Sequence, residues 1–199
     1  MSGKDLRLGC VVMAAGDARR FGENKLAVEV GGKTLIRRAL EAVPGEVFCR
    51  VAVVTQYPAV EALATEFGFF PVHNPHPDWG ISHTIRLGLE ALGEVDAAMF
   101  QVSDQPLLRR ETVRAQVEFF SRHSDRLVGL GHGGVRGNPC IFPAAYFPEL
   151  MALTEDHGGS SVIRRHEEAL LLFEASEEEL EDVDTLPALQ AMRENRKLV

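Results

Sequence analysis

Short, nearly continuous apolar runs alternate with segments of helical periodicity along most of the chain. The runs predict strands at Leu8–Met13, Arg50–Thr55, Phe69–Val72, Ala97–Val102, Leu127–Leu130, Pro139–Phe142 and Ala169–Glu174. The segments between them predict helices at Thr34–Ala42, Pro58–Phe67, Ser82–Leu92, Glu111–His123, Ala144–Leu153, Ser160–Glu167 and Pro187–Asn195. A strand that is apolar on both sides must be covered on both faces, and helices inserted between such strands supply the cover. The pattern therefore predicts an α/β fold: a single three-layer α/β/α domain over residues 1–199 with a mostly parallel, twisted sheet. Ser82 reads as the N-cap of its helix, and Pro187 suits a first turn. Pro139 lacks a ladder donor, which puts the sixth run at a sheet edge or just after a turn. No internal repeat, linker or low-complexity stretch interrupts the pattern.

Open parallel sheets bind ligands beyond the carboxyl ends of their strands. Polar, glycine-rich segments follow the predicted strands repeatedly, at 14–25, 73–80, 103–109 and 131–138. The first is the most telling. Ala14, Ala15 and Gly16 are followed by Arg20, Gly22 and Lys25, so small residues that let a ligand approach the backbone stand beside cations. Backbone N–H groups at such a bend, with fixed positive charge, suit a polyphosphate. Counting excludes two better-known loops. No glycine lies between Gly16 and Gly22, so G-x-G-x-x-G is absent; Gly32-Lys33-Thr34 ends like a Walker loop, but Ala27 stands where its first glycine belongs.

Composition narrows the partners. The 199 residues are 45% hydrophobic and 25% charged, as soluble globular chains are. A net charge of −8 argues against a broad nucleic-acid surface, so an anionic ligand must be held by local cations and a metal. Much of the excess falls between Glu174 and Asp184, which reads as an acidic, solvated face. Cys10, Cys49 and Cys140 are odd in number and form no C-x-x-C; Cys10 and Cys140 lie in apolar runs and read as buried free thiols. The sequence opens with no secretory signal, and no run approaches the roughly 20 apolar residues of a membrane span. A cytoplasmic protein with no membrane partner is expected.

Asp104 follows the fourth strand and is well placed to hold Mg²⁺, a hard ion that takes oxygen ligands; the plainer reading is a turn cap before Pro106. The stretch from His73 to Thr84 contains three histidines and the only tryptophan, yet its spacing does not suit a zinc site. Its prolines make it a stiff loop, and Gly80-Ile81-Ser82 opens a helix where a base or ribose could meet backbone groups. His132 to Pro139 reads as a tight glycine turn that leaves Arg136 free to reach an anion. Asp156 and Ser160 are ordinary cap candidates. Together these point to nucleotidyl transfer: a triphosphate on the first loop, Arg20 and Lys25 offsetting its charge, and Mg²⁺ at Asp104. Such chemistry needs positioning and charge stabilisation rather than a covalent nucleophile.

Ala14-Ala15-Gly16, Arg20-Phe21-Gly22 and Lys25 resemble the A-A-G-x-x-x-R-[FM]-G-x-x-K signature of nucleotidyltransferases related to molybdenum cofactor guanylyl- and cytidylyltransferases. Further segments agree in order: Asn74-Pro75 to Ser82, Thr84 to Leu89, Asp104-Gln105-Pro106, Arg136-Gly137-Asn138-Pro139 and Asp182-Val183-Asp184-Thr185. The double alanine before Gly16 is similar to the cytidylyl branch, where the guanylyl branch usually reads A-G-G. The resemblance implies a Rossmann-like fold of the nucleotide-diphospho-sugar transferase type. It implies nucleotide contacts at Ala14, Ala15, Gly16, Arg20, Lys25, Asn74, Gly80, Ser82, Thr84 and Asp104. It also implies catalytic roles for Arg20, Lys25 and Asp104, Mg²⁺ at Asp104 and Asp184, and acceptor contacts at Arg136 and Asn138. The implied reaction joins CMP from CTP to the phosphate of Mo-molybdopterin, giving molybdopterin cytosine dinucleotide and pyrophosphate. A client molybdoenzyme of the xanthine dehydrogenase type, or its chaperone, is the implied partner. The alternatives are a GTP-using or other small-acceptor nucleotidyltransferase, and a non-catalytic cofactor-binding chaperone. The chain departs from the family at His83, where a small residue is usual, and at Glu155–Ser160, which lacks a basic end.

Overall fold

A computed structural model describes residues 6–16 and 25–183. In chain order they form β1 (Leu8–Ala14), β2 (Glu29–Val30), β3 (Lys33–Thr34), α1 (Leu35–Glu41), β4 (Arg50–Thr55) and α2 (Pro58–Glu66). There follow β5 (Phe70–His73), α3 (Ile81–Leu92), β6 (Ala97–Val102), α4 (Arg110–Ser121), β7 (Leu127–His132) and β8 (Val135–Pro143). The series ends with α5 (Phe147–Met151), α6 (Gly159–Arg165) and β9 (Leu170–Glu174). All seven predicted strands are present; the helix expected at Pro187–Asn195 lies outside the described residues.

The seven strands make one sheet in the order β5-β4-β1-β6-β8-β7-β9. Every pairing is parallel except those of β8, which runs antiparallel to both β6 and β7. The short β2–β3 ladder stands apart. Alternate residues of β1 serve two cores, as the strand's period of two requires. Cys10 and Val12 pack with Ile36 and Leu40 of α1, Val60 of α2, and Val113 and Phe120 of α4. Val11 faces the other way, with Ile85 and Leu89 of α3, Leu150 of α5 and Val162 of α6. Hence the apolar runs are continuous rather than alternating: both faces of the sheet are covered. Burial raises the pKa of the Cys10 and Cys140 thiols, and neither forms a disulfide.

The expectation for Pro139 is corrected. β8 is an interior strand, yet its ladder with β6 stops at Phe100–Cys140, and its register with β7 breaks between Gly129 and Gly131. Pro139 sits in that irregular stretch, where a missing N–H removes no ladder bond. Its carbonyl is still used, accepting from the buried Gln116 side chain at 2.8 Å.

One close approach seats a helix on the sheet. A Cβ on Gly88 would lie 2.4 Å from a Val11 methyl, so glycine lets α3 lie directly on β1. The acidic face after β9 is also corrected in part. Glu179 is 2% exposed and closes a capping box with Ser176 over the turn Glu177–Leu180. Its carboxylate accepts from the Arg109 side chain at 2.7 Å, which fastens the segment onto the start of α4.

Candidate active site

The chain runs outward from β1 to β4 and β5, then crosses through α3 to β6 on the other side of β1. A crevice at the carboxyl ends of β1 and β6 follows from that reversal. Ala14 ends β1, and Ala15 is buried behind it. The Ala15 carbonyl accepts from Gln56 Nε2 at 2.9 Å, and the Gly16 carbonyl accepts from the Tyr57 hydroxyl at 3.3 Å. These bonds hold the carbonyl side of the loop to the residues after β4. Arg20 lies outside the described residues.

From the other strand, Ser103 Oγ donates to the Met13 carbonyl at 2.9 Å and ties the end of β6 to β1. Asp104 follows. Lys25 Nζ, which begins the short turn Lys25–Ala27, lies 3.0 Å from Asp104 Oδ2, with the two side chains 16% and 27% exposed. Asp104 Oδ1 is buried and has no hydrogen-bond partner among the described residues. Such an oxygen suits a hard cation, because burial without a partner is costly and a metal ion relieves it. The backbone N–H of Val183 donates to the Asp104 carbonyl at 2.9 Å, so the segment held by Glu179 ends beside this residue. Asp184 comes next and lies outside the described residues. Among the described residues no three carboxylate, histidine or cysteine side chains gather as a metal cluster.

The loop after β5 is fixed by Asn74. Its Nδ2 donates to Thr84 Oγ1 at 3.2 Å, while its Oδ1 accepts from the His76 backbone at 2.9 Å. Gly80, not Ser82, is the N-cap of α3. The reason is geometric: Gly80 has φ +84°, and a Cβ there would lie 2.3 Å from the Glu155 carbonyl group. Ser82 enters the first turn instead, its N–H donating to the Glu155 carbonyl at 3.1 Å. Of the histidines of this loop, His73 stands apart, while His76 and His83 both meet the Trp79 ring. His73 meets Glu61 at 2.7 Å, His76 stacks on Trp79, and His83 is buried.

Arg136 lies in β8 just past a two-residue turn, Gly133-Gly134, whose φ angles of +56° and +83° explain the paired glycines. Its guanidinium donates to Ser160 Oγ at 3.1 Å, at the start of α6. Gly158 rather than Asp156 or Ser160 is the N-cap of that helix. Asn138 is near Cys140, whose thiol lies 4.0 Å from Asn138 Oδ1, and the Asn138–Pro139 peptide is cis. Lys25 and Asp104 are thus in contact, as are Asn74 and Thr84; Arg136 is joined to α6, and no direct contact joins it to Asp104.

The family model for the MobA-like NTP transferase domain matches residues 10–169. The chain belongs to that family. A curated relative is the purine catabolism protein PucB of Bacillus subtilis, 26% identical over 192 residues, which are 88% of this chain and 90% of the relative. The bifunctional protein GlmU of Corynebacterium aurimucosum is 32% identical over 114 residues; that match takes in 52% of this chain and only 23% of GlmU. Among solved structures, a nucleotidyl transferase from Methanothermobacter thermautotroptrophicus superposes with a TM-score of 0.79 at 21% identity, covering 95% of this chain and 97% of the other. Rv0371c from Mycobacterium tuberculosis, in a structure described as a complex with manganese, gives 0.73 at 19% identity over 94% and 98%. At those identities the likeness is one of fold. The superposition extends over nearly the whole of this chain's mostly parallel sheet and its helices. Among the described residues no helix is long and apolar enough to cross a membrane.

Some residues at this candidate site are not evident from the sequence motifs. Gln56 and Tyr57 brace the first loop, Ser103 joins the two central strands, and Glu179 fastens the segment that reaches Asp104. Only Glu179 had a readable signal, the Ser176-x-x-Glu179 spacing of a capping box, masked by the acidic residues around it.

Proposed function

We propose that this MobA-like chain transfers CMP from CTP to the phosphate of Mo-molybdopterin, giving molybdopterin cytosine dinucleotide and pyrophosphate. The observation that carries the reading is the pairing of Lys25 with Asp104 at 3.0 Å, at the mouth between β1 and β6, while Asp104 Oδ1 remains buried and unbonded among the described residues. One carboxylate thus has an oxygen for Lys25 and an oxygen to give to a cation. Asp104, with Asp184 following the anchored Val183, would hold Mg²⁺. When bound, that ion supplies charge neutralisation at the α-phosphate and the leaving pyrophosphate.

The chain's own residues do the rest. The backbone at Ala14, Ala15 and Gly16 cradles the phosphates, with Arg20 and Lys25 offsetting charge on the β- and γ-phosphates. Asn74, Gly80, Ser82 and Thr84 form the wall against which the nucleoside rests, and Arg136 with Asn138 receives the acceptor. An acceptor phosphate oxygen attacks the α-phosphorus in line. The bond from that phosphorus to the β-bridging oxygen breaks, and pyrophosphate leaves with the bonding pair. Support for CTP comes from the two alanines before Gly16. Activity in the cytoplasm, with hand-over to a client molybdoenzyme of the xanthine dehydrogenase type or to its chaperone, completes the proposal.

The test is pyrophosphate release with molybdenum-loaded molybdopterin, offered CTP or GTP. Release with CTP, accompanied by a cytosine dinucleotide product, is expected. Strict dependence on GTP overturns the cytidylyl assignment. Binding of molybdopterin with no pyrophosphate from either nucleotide overturns transfer and leaves a cofactor-carrying role.

A further inference from the structure

Glu179 is a buried carboxylate that the transfer reading does not use. It is 2% exposed, although Glu177, Glu178, Glu181 and Asp182 around it are all open to solvent. Taking an ionised group out of water is costly, and an apolar side chain could fill the same space without that cost. What the charge adds is direction. The carboxylate accepts from the Arg109 backbone at 3.1 Å, the Arg109 side chain at 2.7 Å and the Ser176 hydroxyl at 2.9 Å. Donors from α4's start and from its own turn leave the carboxylate one placement, and Glu177–Leu180 is fixed with it.

From that anchor the chain reaches the site within four residues. The Leu180 carbonyl accepts from Gln105 Nε2 at 3.3 Å, and the Leu180 side chain lies where a Cβ on Gly137 would come within 2.9 Å of it. The Val183 N–H donates to the Asp104 carbonyl at 2.9 Å. The Val183 side chain is fully buried in a small cluster with Val30 and Leu35, against which Val28 and Leu107 pack. Val28 in turn donates its N–H to the Lys25 carbonyl at 3.1 Å. The segment thus reaches Asp104 directly and Lys25 by way of Val28. Residues 181–183 belong to no helix or strand, so no regular ladder sets their course. The anchor at Glu179 does.

We propose that Glu179 is a positioning residue for the site: through Val183 it sets the placement of Asp104, and so governs how well the buried Asp104 Oδ1 takes a divalent cation. This rests on the metal role given to Asp104 above. Without the Glu179 charge the segment loosens, and Asp104 loses a fixed backbone partner. Its free oxygen then spends time in positions where it holds the ion less well.

The test is a titration of Mn²⁺ into the full-length protein, alone and with CTP, with the bound ion read by water-proton relaxation rather than by turnover. The parent is expected to bind saturably. Glu179→Gln keeps the shape and should weaken Mn²⁺ roughly tenfold, as loss of an outer-shell partner of a metal site does. Leu150→Ala, a core truncation in α5 on the opposite face of the sheet from Leu180, controls for general loosening and should stay within about twofold of the parent. Should Glu179→Gln fail to fold, Arg109→Gln serves. The Arg109 side chain is 63% exposed, and a loss of about threefold or more in the same direction is expected. Equal Mn²⁺ affinity in the parent and Glu179→Gln overturns the positioning role and leaves the metal role of Asp104 standing. An equal loss in Leu150→Ala also overturns it, since the effect would then be one of stability alone. A parent that binds no Mn²⁺ under either condition overturns the metal role, and the positioning role with it.

Discussion

Replacing Glu179 by glutamine tests how firmly the segment that reaches Asp104 is held. The Glu179 carboxylate accepts from the Arg109 side chain at 2.7 Å, the Arg109 backbone at 3.1 Å and the Ser176 hydroxyl at 2.9 Å. Burial pushes its pKa up, but the hydrogen bonds from Arg109, Thr112 and Ser176 outweigh burial and hold it at about 2, against an ordinary 4.5. At about 1.4 kcal/mol for each pH unit between those values, the ionised group contributes on the order of 3 kcal/mol to folding. The folded pKa lies below the unfolded one. The contribution is therefore complete above about pH 4.5 and is lost as pH falls through about 2. Glu179→Gln keeps the shape and removes the charge. Guanidinium unfolding should find it about 2–3 kcal/mol less stable than the parent at pH 7, with the gap roughly halved at pH 3. A gap below about 1 kcal/mol at pH 7, or one that does not change with pH, would refute the reasoning.

Asp104→Asn is expected to lower pyrophosphate release by about a hundredfold or more with the unfolding midpoint little changed, since the Lys25 pair is partly solvated; wild-type turnover would remove Asp104 from the chemistry. Gly80→Ala places a Cβ into the Glu155 backbone at a left-handed φ, so it should weaken nucleotide and acceptor binding together, measured by calorimetry, and cost about 1–3 kcal/mol. Gly88→Ala drives α3 off β1 and is expected to cost a similar amount, about 1–3 kcal/mol by denaturant unfolding, because the Val11 methyls it meets belong to a buried strand.

The sheet was legible because its strands are covered on both faces, which writes each one as an unbroken apolar run. The position of β8 was not. Proline reports only that a donor is missing; whether a neighbour needs that donor depends on where the β6 and β7 ladders break, and that is set by distant residues. Ser82 misled for a similar reason. Its side chain suits a cap, but the tight packing of Gly80 on Glu155 fixes the turn one step earlier. At the site, Asp104 and Lys25 could be read because charge beside a strand end is a local pattern. Gln56, Tyr57 and Ser103 could not, since an amide or hydroxyl aimed at a carbonyl 41 or 90 residues away has no local signature.

The hydrogen bond from Val183 to Asp104 also bears on when the site comes into being. Lys25 and Asp104 are 79 residues apart, and Val183 lies as far again beyond Asp104. During synthesis the β1 strand emerges early but has to wait for β6 before the first charge pair can form, and for the segment after β9 before Asp104 gains its last backbone partner. Contacts of such separation are late events in folding. A ribosome-bound chain therefore exposes the segment after β1 long before it can assemble the carboxylate opposite, and on the proposed reading transfer is withheld until most of the chain has been made.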